Sequence, residues 1–263
     1  REFMDCGVKA INWTGGGEPL THPAFCDIAR FTIRHAIQQG IFTNGSLITD
    51  GIMKTLVTSH QWIRFSIDAG TRETYLKIKG VDDFDKVINN VCKMVAWRND
   101  ECLKGEIGIG FVITMDNYHE IPKFADLINE TGVDYGQFKP SVNYCSANDI
   151  QWWTEEVKPL LEKVFKDNSK AVINLYKFND IVESNLDNDY LKCYGHQFCP
   201  CIGADGEVYI CNQFRGNKDY SFGSLYKNTF KQIWNSKQRQ QVIKNLDITK
   251  CPNLCKNNEI NKI

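Results

Sequence analysis

No stretch of the 263 residues approaches the ~18 consecutive apolar residues that a membrane-spanning helix needs, so no membrane partner is expected. The opening residues Arg1-Glu2-Phe3-Met4-Asp5-Cys6 lack the basic start and apolar run of a secretory signal. An excess of charge is also missing. Lys and Arg number 31 against 32 Asp and Glu, a formal net charge of −1, so neither nucleic acid nor an anionic surface is expected as partner. There is no low-complexity tract and no internal repeat. Position 1 is not methionine, and the natural start is expected upstream. These absences place the chain in the cytoplasm as an expectation.

Cysteine, by contrast, is abundant. Eleven residues, an odd number without a signal, argue against a secreted disulfide framework and for reduced thiols or metal ligands. Cys6, Cys26, Cys92, Cys102 and Cys145 are scattered through the first half, as small buried apolar residues often are. Cys193, Cys199, Cys201, Cys211, Cys251 and Cys255 crowd into the last quarter and need another explanation.

Short apolar runs alternate with amphipathic stretches over the first 140 or so residues. Val8–Trp13, Gly40–Thr43, Trp62–Asp68, Ile107–Thr114 and Tyr135–Lys139 read as buried strands. Pro23–Gln38, Asp83–Trp97 and Tyr118–Asn129 read as helices, the second with Phe84, Val87, Ile88, Val91 and Val95 as its core stripe. This alternation predicts an α/β fold with a parallel sheet, whose chemistry collects at the C-terminal strand ends. From about Val142 the rhythm breaks. Trp152–Lys166 is a predicted helix with Pro159 starting or kinking it, and Ala171–Tyr176 a possible strand. Cys201–Cys211 reads as a hairpin turning at Asp205-Gly206, a pair that suits a type I′ turn. Phe230, Ile233, Trp234, Ile243 and Leu246 mark a last helix, and the Asn- and Lys-rich tail from Lys256 is expected at the surface.

The strand ends carry polar groups that could hold a ligand. After the first comes Thr14-Gly15-Gly16-Gly17-Glu18-Pro19, where glycine lets backbone approach a ligand and Glu18 can accept from an ammonium group. The second ends in Thr43-Asn44-Gly45. The third ends in Ser66-Ile67-Asp68, whose hydroxyl and carboxylate are two apart and so share a face. Asp68 equally suits capping of the following segment, Gly70–Lys79. Lys139, ending the fifth strand, is either a surface lysine or a partner for an anionic group.

GGGEP, TNG, SID and FKP, in that order at successive strand ends between about Gly7 and Pro140, resemble the radical S-adenosylmethionine (SAM) superfamily. The resemblance implies a partial (β/α)6 TIM-like barrel, here lacking its first strand. It also implies a SAM site in which Gly15, Gly16, Gly17 and Glu18 hold the amino group, Ser66 and Asp68 meet the ribose or carboxylate, and Asn44 and Lys139 contribute. The family's catalytic [4Fe–4S] cluster sits on a Cys-x3-Cys-x2-Cys loop upstream of GGE, and nothing before Gly15 fits it. The chain is therefore expected to be a fragment, inactive by itself, with its catalytic ligands unassigned.

In the last quarter, Cys193-x12-Gly206-x4-Cys211 and Cys251-x3-Cys255 bring four thiols to a hairpin and a distal turn. On spacing alone, structural zinc and an iron–sulfur cluster are both open. With the Gly-rich stretch Phe222-Gly223-Ser224-Leu225 and a helix containing Trp234, the pattern resembles the SPASM/twitch extension of radical SAM enzymes, in its shorter, four-ligand form. The resemblance implies one auxiliary [4Fe–4S] cluster on Cys193, Cys211, Cys251 and Cys255. Cys199 or Cys201 remains an alternative first ligand, and Cys201 and Cys211 are candidates to sit across from each other. The expected organisation is a barrel over 1–141, a connecting region over 142–192 and a small α+β cluster domain over 193–263. The expected activity is hydrogen abstraction by a 5′-deoxyadenosyl radical from a small polar metabolite or glycan precursor. Rival readings are peptide modification, or an inactive barrel bearing a zinc-binding interaction module. Flavodoxin or ferredoxin is the implied electron donor.

Overall fold

The computed structural model of the chain describes residues 2–141, 147–173, 179, 181, 190–252, 255 and 257–261; Cys145 lies outside them. Two compact units separate, Lys9–Asn185 and Arg1–Val8 with Leu186–Ile263. No helix among the described residues is long and apolar enough to cross a membrane.

The larger unit is a six-stranded parallel sheet in sequential order: β1 (Ala10–Trp13), β2 (Gln38–Thr43), β3 (Trp62–Ser66), β4 (Glu106–Ile113), β5 (Tyr135–Pro140) and β6 (Ala171–Ile173). The five strands expected from the sequence are present, each end within two residues of its expected place. The sixth settles the possible strand at 171 by pairing Gly136–Phe138 with Ala171–Ile173. It lies in the region the sequence assigned to a connection, so the sheet-bearing unit runs on past 141.

After a helical turn α1 (Glu2–Asp5), the crossovers are α2 (Phe25–Arg34), α3 (Asp50–Ser59), α4 (Arg72–Lys79), α5 (Phe84–Asp100) and α6 (Ile121–Thr131). α2 stops short of the expected Gln38 because Ala36 turns the chain with φ +57°. The α3 helix has no counterpart in the sequence reading; Thr49 caps it, and Met53, Leu56 and Val57 bury its inner face. The predicted Tyr118–Asn129 helix starts as a 3₁₀ turn, becomes α-helical at Ile121 beside Pro122, and ends at left-handed Gly132. The predicted Trp152–Lys166 helix is α7 (Ala147–Trp152), a π-helical turn Trp153–Val157, and α8 (Lys158–Asp167) with Pro159 in its first turn. Ile63, Phe65, Ile67, Ile107, Ile109, Phe111, Ile113 and Phe138 are all fully buried. Phe111, Phe124 and Phe138 pack with centroids 4.9–5.7 Å apart, joining α6 to the sheet.

A buried acid organises the turn after β3. Glu120, 2% exposed, accepts from Gly70 N (2.8 Å), Thr71 N (3.2 Å) and Thr71 Oγ1 (2.6 Å). Burial works to raise its pKa, but the Thr71 hydroxyl, the Gly70 amide, Thr74 and Lys123 outweigh it, and the carboxyl sits below its ordinary value. A depressed folded pKa means stability that is full above the unfolded value of about 4.3 and lost as pH falls through the folded value. Glu120→Gln is therefore expected to cost about 2 kcal/mol at pH 7. In thermal melts the gap to the parent protein should close as pH drops below about 4.

The smaller unit carries an antiparallel sheet, β7 (Cys201–Ile202), β8 (Glu207–Tyr209) and β9 (Ser221–Ser224). The expected hairpin is there, but its turn is not type I′. Gly206 N bonds Gly203 O at 3.0 Å, and of the loop residues only Gly206 is left-handed (φ +71°), so four residues rather than two make the turn. The expected last helix is two, Phe230–Trp234 with a Thr229/Gln232 capping box and Lys237–Lys244 capped by Ser236. Val208, Ile210, Phe222, Phe230 and Ile233 form the core, joined by Phe3 from α1, whose ring meets Phe230 edge-on at 5.1 Å.

Candidate cofactor sites

At the C-terminal ends of β1 and β2, the expected glycine loop and carboxylate are tied to the neighbouring strand. Gly15, Gly16 and Gly17 are exposed. Gly15 takes φ +136°, and a side chain at Gly17 would meet nothing within 4 Å. Glu18 is half-buried. Its Oε1 accepts from Thr43 Oγ1 (2.7 Å) and Leu20 N (3.2 Å), and its Oε2 from Asn44 N (2.7 Å). An ionised carboxylate offers about four lone-pair positions, so three are used internally and one remains for an incoming N–H. Asn44 Oδ1 is spent on Ser46 N and Oγ (2.9 and 2.8 Å), which leaves its amide donors. Gly45 (φ +76°) must be glycine, because a Cβ there would lie 2.6 Å from Phe65.

Ser66 lies on the adjacent strand, opposite Gly110. The inferred alternation holds past the strand end: Trp62, Arg64, Ser66 and Asp68 are half-buried, while Ile63, Phe65, Ile67 and Ala69 are buried. Asp68 itself is left-handed at φ +59°. Its Oδ1 accepts from Val112 N (2.7 Å) and its Oδ2 from Lys79 Nζ (2.5 Å), which turns the carboxylate toward β4. The capping alternative fails, since Thr71 caps α4. The structure thus joins Glu18 to Asn44, sets Ser66 on the next strand, and commits part of Asp68 to an ion pair. Lys139 places its ammonium 4.6 Å from the centre of the Phe42 ring.

Sequence reading passed over Arg64, which faces the same way as Ser66. Its guanidinium lies about 5 Å from the Phe42, Trp62 and Tyr135 ring centres (5.0, 5.4 and 5.0 Å) and donates to Tyr135 Oη (3.0 and 2.9 Å) and Gln137 Oε1 (2.5 Å). Glycine makes room for those rings: a Cβ would fall 2.0 Å from Trp62 at Gly40 and 2.4 Å from Tyr135 at Gly108. The signal available was a cation at an alternate position within an apolar strand.

In the smaller unit Cys193, Cys211, Cys251 and Cys255 all line one cavity, with about 340 Å³ of empty space partly open to solvent; Tyr190, His196, Gln213 and Asn257 stand among its other walls. Cys199 and Cys201 do not line it. Cys201 pairs with Tyr209 across the hairpin, so it does not sit opposite Cys211. Burial first, then Cys255, Cys211 and Cys193, push the Cys251 thiol up to about 12. Burial also raises Cys211, against the opposing amides of Phe214 and Gln213. Thiols that oppose one another's ionisation call for positive charge between them. Four thiols around one cavity have the chemistry of an iron–sulfur or zinc site.

The tail contradicts the expectation of a surface segment. Asn257, Asn258 and Asn261 are 3%, 9% and 4% exposed. Asn261 Oδ1 accepts from Tyr194 N and Gly195 N (2.7 and 2.9 Å), its Nδ2 points to Cys193 Sγ (3.6 Å), and Asn257 N points to Cys255 Sγ (3.5 Å). The amides bury because they satisfy backbone donors and thiols. Burial, then the positive charges of Arg239 and Lys192, lower the pKa of His196.

A family model described as SPASM, an iron–sulfur cluster-binding domain, matches residues 193–257. The chain is 28% identical over 250 residues to a tungsten-containing aldehyde ferredoxin oxidoreductase cofactor-modifying protein of Pyrococcus furiosus, covering 88% of this chain and 68% of that protein. Over 129 residues it is 31% identical to a probable GTP 3′,8-cyclase of Saccharolobus islandicus, 49% of this chain and 40% of that protein. Streptococcus suis SuiB bound to precursor peptide SuiA shares its fold with a TM-score of 0.69 at 15% identity, over 94% of this chain and 58% of that one. Native anSMEcpe with bound AdoMet does so at 0.64 and 18%, over 92% and 71%. The chain spans less than two thirds of the cyclase and of SuiB.

Proposed function

We infer, from the premise that the chain belongs to the radical SAM enzymes with a C-terminal SPASM domain, that its complete protein abstracts hydrogen from a small polar metabolite or glycan precursor. The observation that carries this reading is the Glu18 carboxylate, fixed by Thr43 and Asn44 beside an open glycine backbone and keeping one acceptor position.

In this reading Glu18 and the glycine backbone hold the SAM amino group. Asn44 supplies amide donors beside them. The Ser66 hydroxyl, opposite Gly110 on β4, and the remaining acceptor positions of Asp68 face the ribose or carboxylate. Lys79 holds Asp68 in place. Bound SAM, cleaved reductively, supplies the radical that removes the substrate hydrogen. Arg64 and Lys139 both stand against the Phe42 ring. The four cavity thiols hold the auxiliary [4Fe–4S] cluster, and the electron comes from a flavodoxin- or ferredoxin-type donor.

The substrate class draws support from the sequence relatives, a cofactor-modifying protein and a GTP cyclase by name. A peptide substrate is the second reading, favoured by SuiB and its peptide. The test is anaerobic incubation of the complete protein with SAM and dithionite. Chromatography should detect 5′-deoxyadenosine, its release raised by a low-mass metabolite fraction. Stimulation by peptides alone would replace the first substrate class with the second, and no release at all would overturn the reading.

A further inference from the structure

The thiol cavity holds one polar ring whose bonding is incomplete. His196 lies on the 3₁₀ turn Gly195–Gln197, is 2% exposed, and lines the cavity. Its Nδ1 is buried and has no hydrogen-bond partner among the described residues. Buried polar atoms in folded proteins are nearly always paired, and an orphan commonly marks a ligand's place. The turn that presents the ring is held firmly. A Cβ on Gly195 would lie 2.6 Å from the Asn257 side chain, and Asn261 Oδ1 accepts from the Tyr194 and Gly195 amides.

Three thiols on the same cavity already have N–H groups aimed at them. Asn261 Nδ2 points to Cys193, Asn257 N to Cys255, and the Gln213 and Phe214 amides to Cys211. Hydrogen bonds to sulfur are one of the means by which a protein sets an iron–sulfur potential. His196 is a side chain of the right chemistry in the same wall.

We propose that His196 donates a ring N–H to a sulfur of the auxiliary cluster and thereby raises that cluster's reduction potential. Reduction adds negative charge to the sulfurs, so a donor stabilises the reduced form more than the oxidised one. The inference rests on reading the four cysteines as cluster ligands, and its test separates the two claims.

The chain is reconstituted anaerobically with iron and sulfide, assayed for both, and titrated with dithionite and mediators while the reduced cluster is followed by EPR. His196→Phe keeps a ring and removes the donor. It should shift the oxidised-to-reduced ratio at the parent midpoint about tenfold toward oxidised, a fall of about 59 mV for one electron. His196→Gln, which keeps an N–H, should shift it by less than half as much. Full iron and sulfide in His196→Phe with an unmoved midpoint would overturn the proposal. Stoichiometric zinc without sulfide in the parent would instead remove the ligand reading beneath it. Should His196→Phe fail to load, pulsed EPR of the parent protein labelled with ¹⁵N-histidine decides: a ¹⁵N coupling to the reduced cluster supports the proposal, and its absence sinks it.

Discussion

Cys251→Ala is expected to abolish the auxiliary cluster, taking iron and acid-labile sulfide from about four each per chain to near zero. The reason lies in how little else holds this unit. Its sheet has strands of two, three and four residues, and its apolar core is a handful of side chains around Val208, Phe222 and Phe230. Small folds of this kind depend on a covalent or metal staple. Cys211→Ala and Cys255→Ala should behave alike, and the melting of the unit should drop with the metal. Cys199→Ala and Cys92→Ala should keep full iron. Cys199 does not line the cavity, and Cys92 belongs to α5 in the other unit. Retention of four irons in Cys251→Ala would mean that the ligand set is wrong.

Glu18→Gln is expected to weaken SAM binding ten- to a hundredfold in a titration of the complete protein, the loss of one charge-assisted hydrogen bond at ~1.5–3 kcal/mol. The neighbours decide how the substitution reads. An amide oxygen in place of Oε1 can still accept from Thr43, but the amide nitrogen would face Asn44 N, donor against donor. The TNG loop should therefore loosen together with the affinity. Asp68→Ala should cost less affinity per bond lost, because two of its acceptor positions serve Lys79 and Val112. An unchanged affinity in Glu18→Gln would move the pocket elsewhere.

Strand positions were legible in the sequence because buried parallel strands are short, β-branched and bounded by Gly, Asn or Asp, as at Ile107–Thr114. The face shared by Ser66 and Asp68 was legible for the same reason, since alternation depends only on the pleat. What Asp68 bonds was not. Its ion pair with Lys79 and its contact with Val112 N depend on a left-handed backbone after β3 that no local pattern announces. The four cavity cysteines stood out by spacing, whereas the asparagines around them looked like a solvated tail. Asparagine buries only where specific partners await it, and those partners, Tyr194 and Gly195, lie more than sixty residues earlier. Glu120 was hidden likewise, its three donors fifty residues away on another loop.

Glu2 Oε2 accepts from Phe230 N at 2.7 Å, and Phe3 packs on the Phe230 ring, so the cysteine-bearing unit is closed by segments more than two hundred residues apart in the order in which the chain is made. The sheet between them can form during synthesis from neighbouring segments, each strand pairing with the next. The smaller unit is different. Glu2 and Phe3 must wait for Phe230, and Asn257 and Asn261 are made only after Cys255 and Cys193, the thiols they point to. The thiols of Cys193 and Cys211 therefore stand open to oxidation until Cys251, Cys255 and the asparagines of 257–261 have followed them.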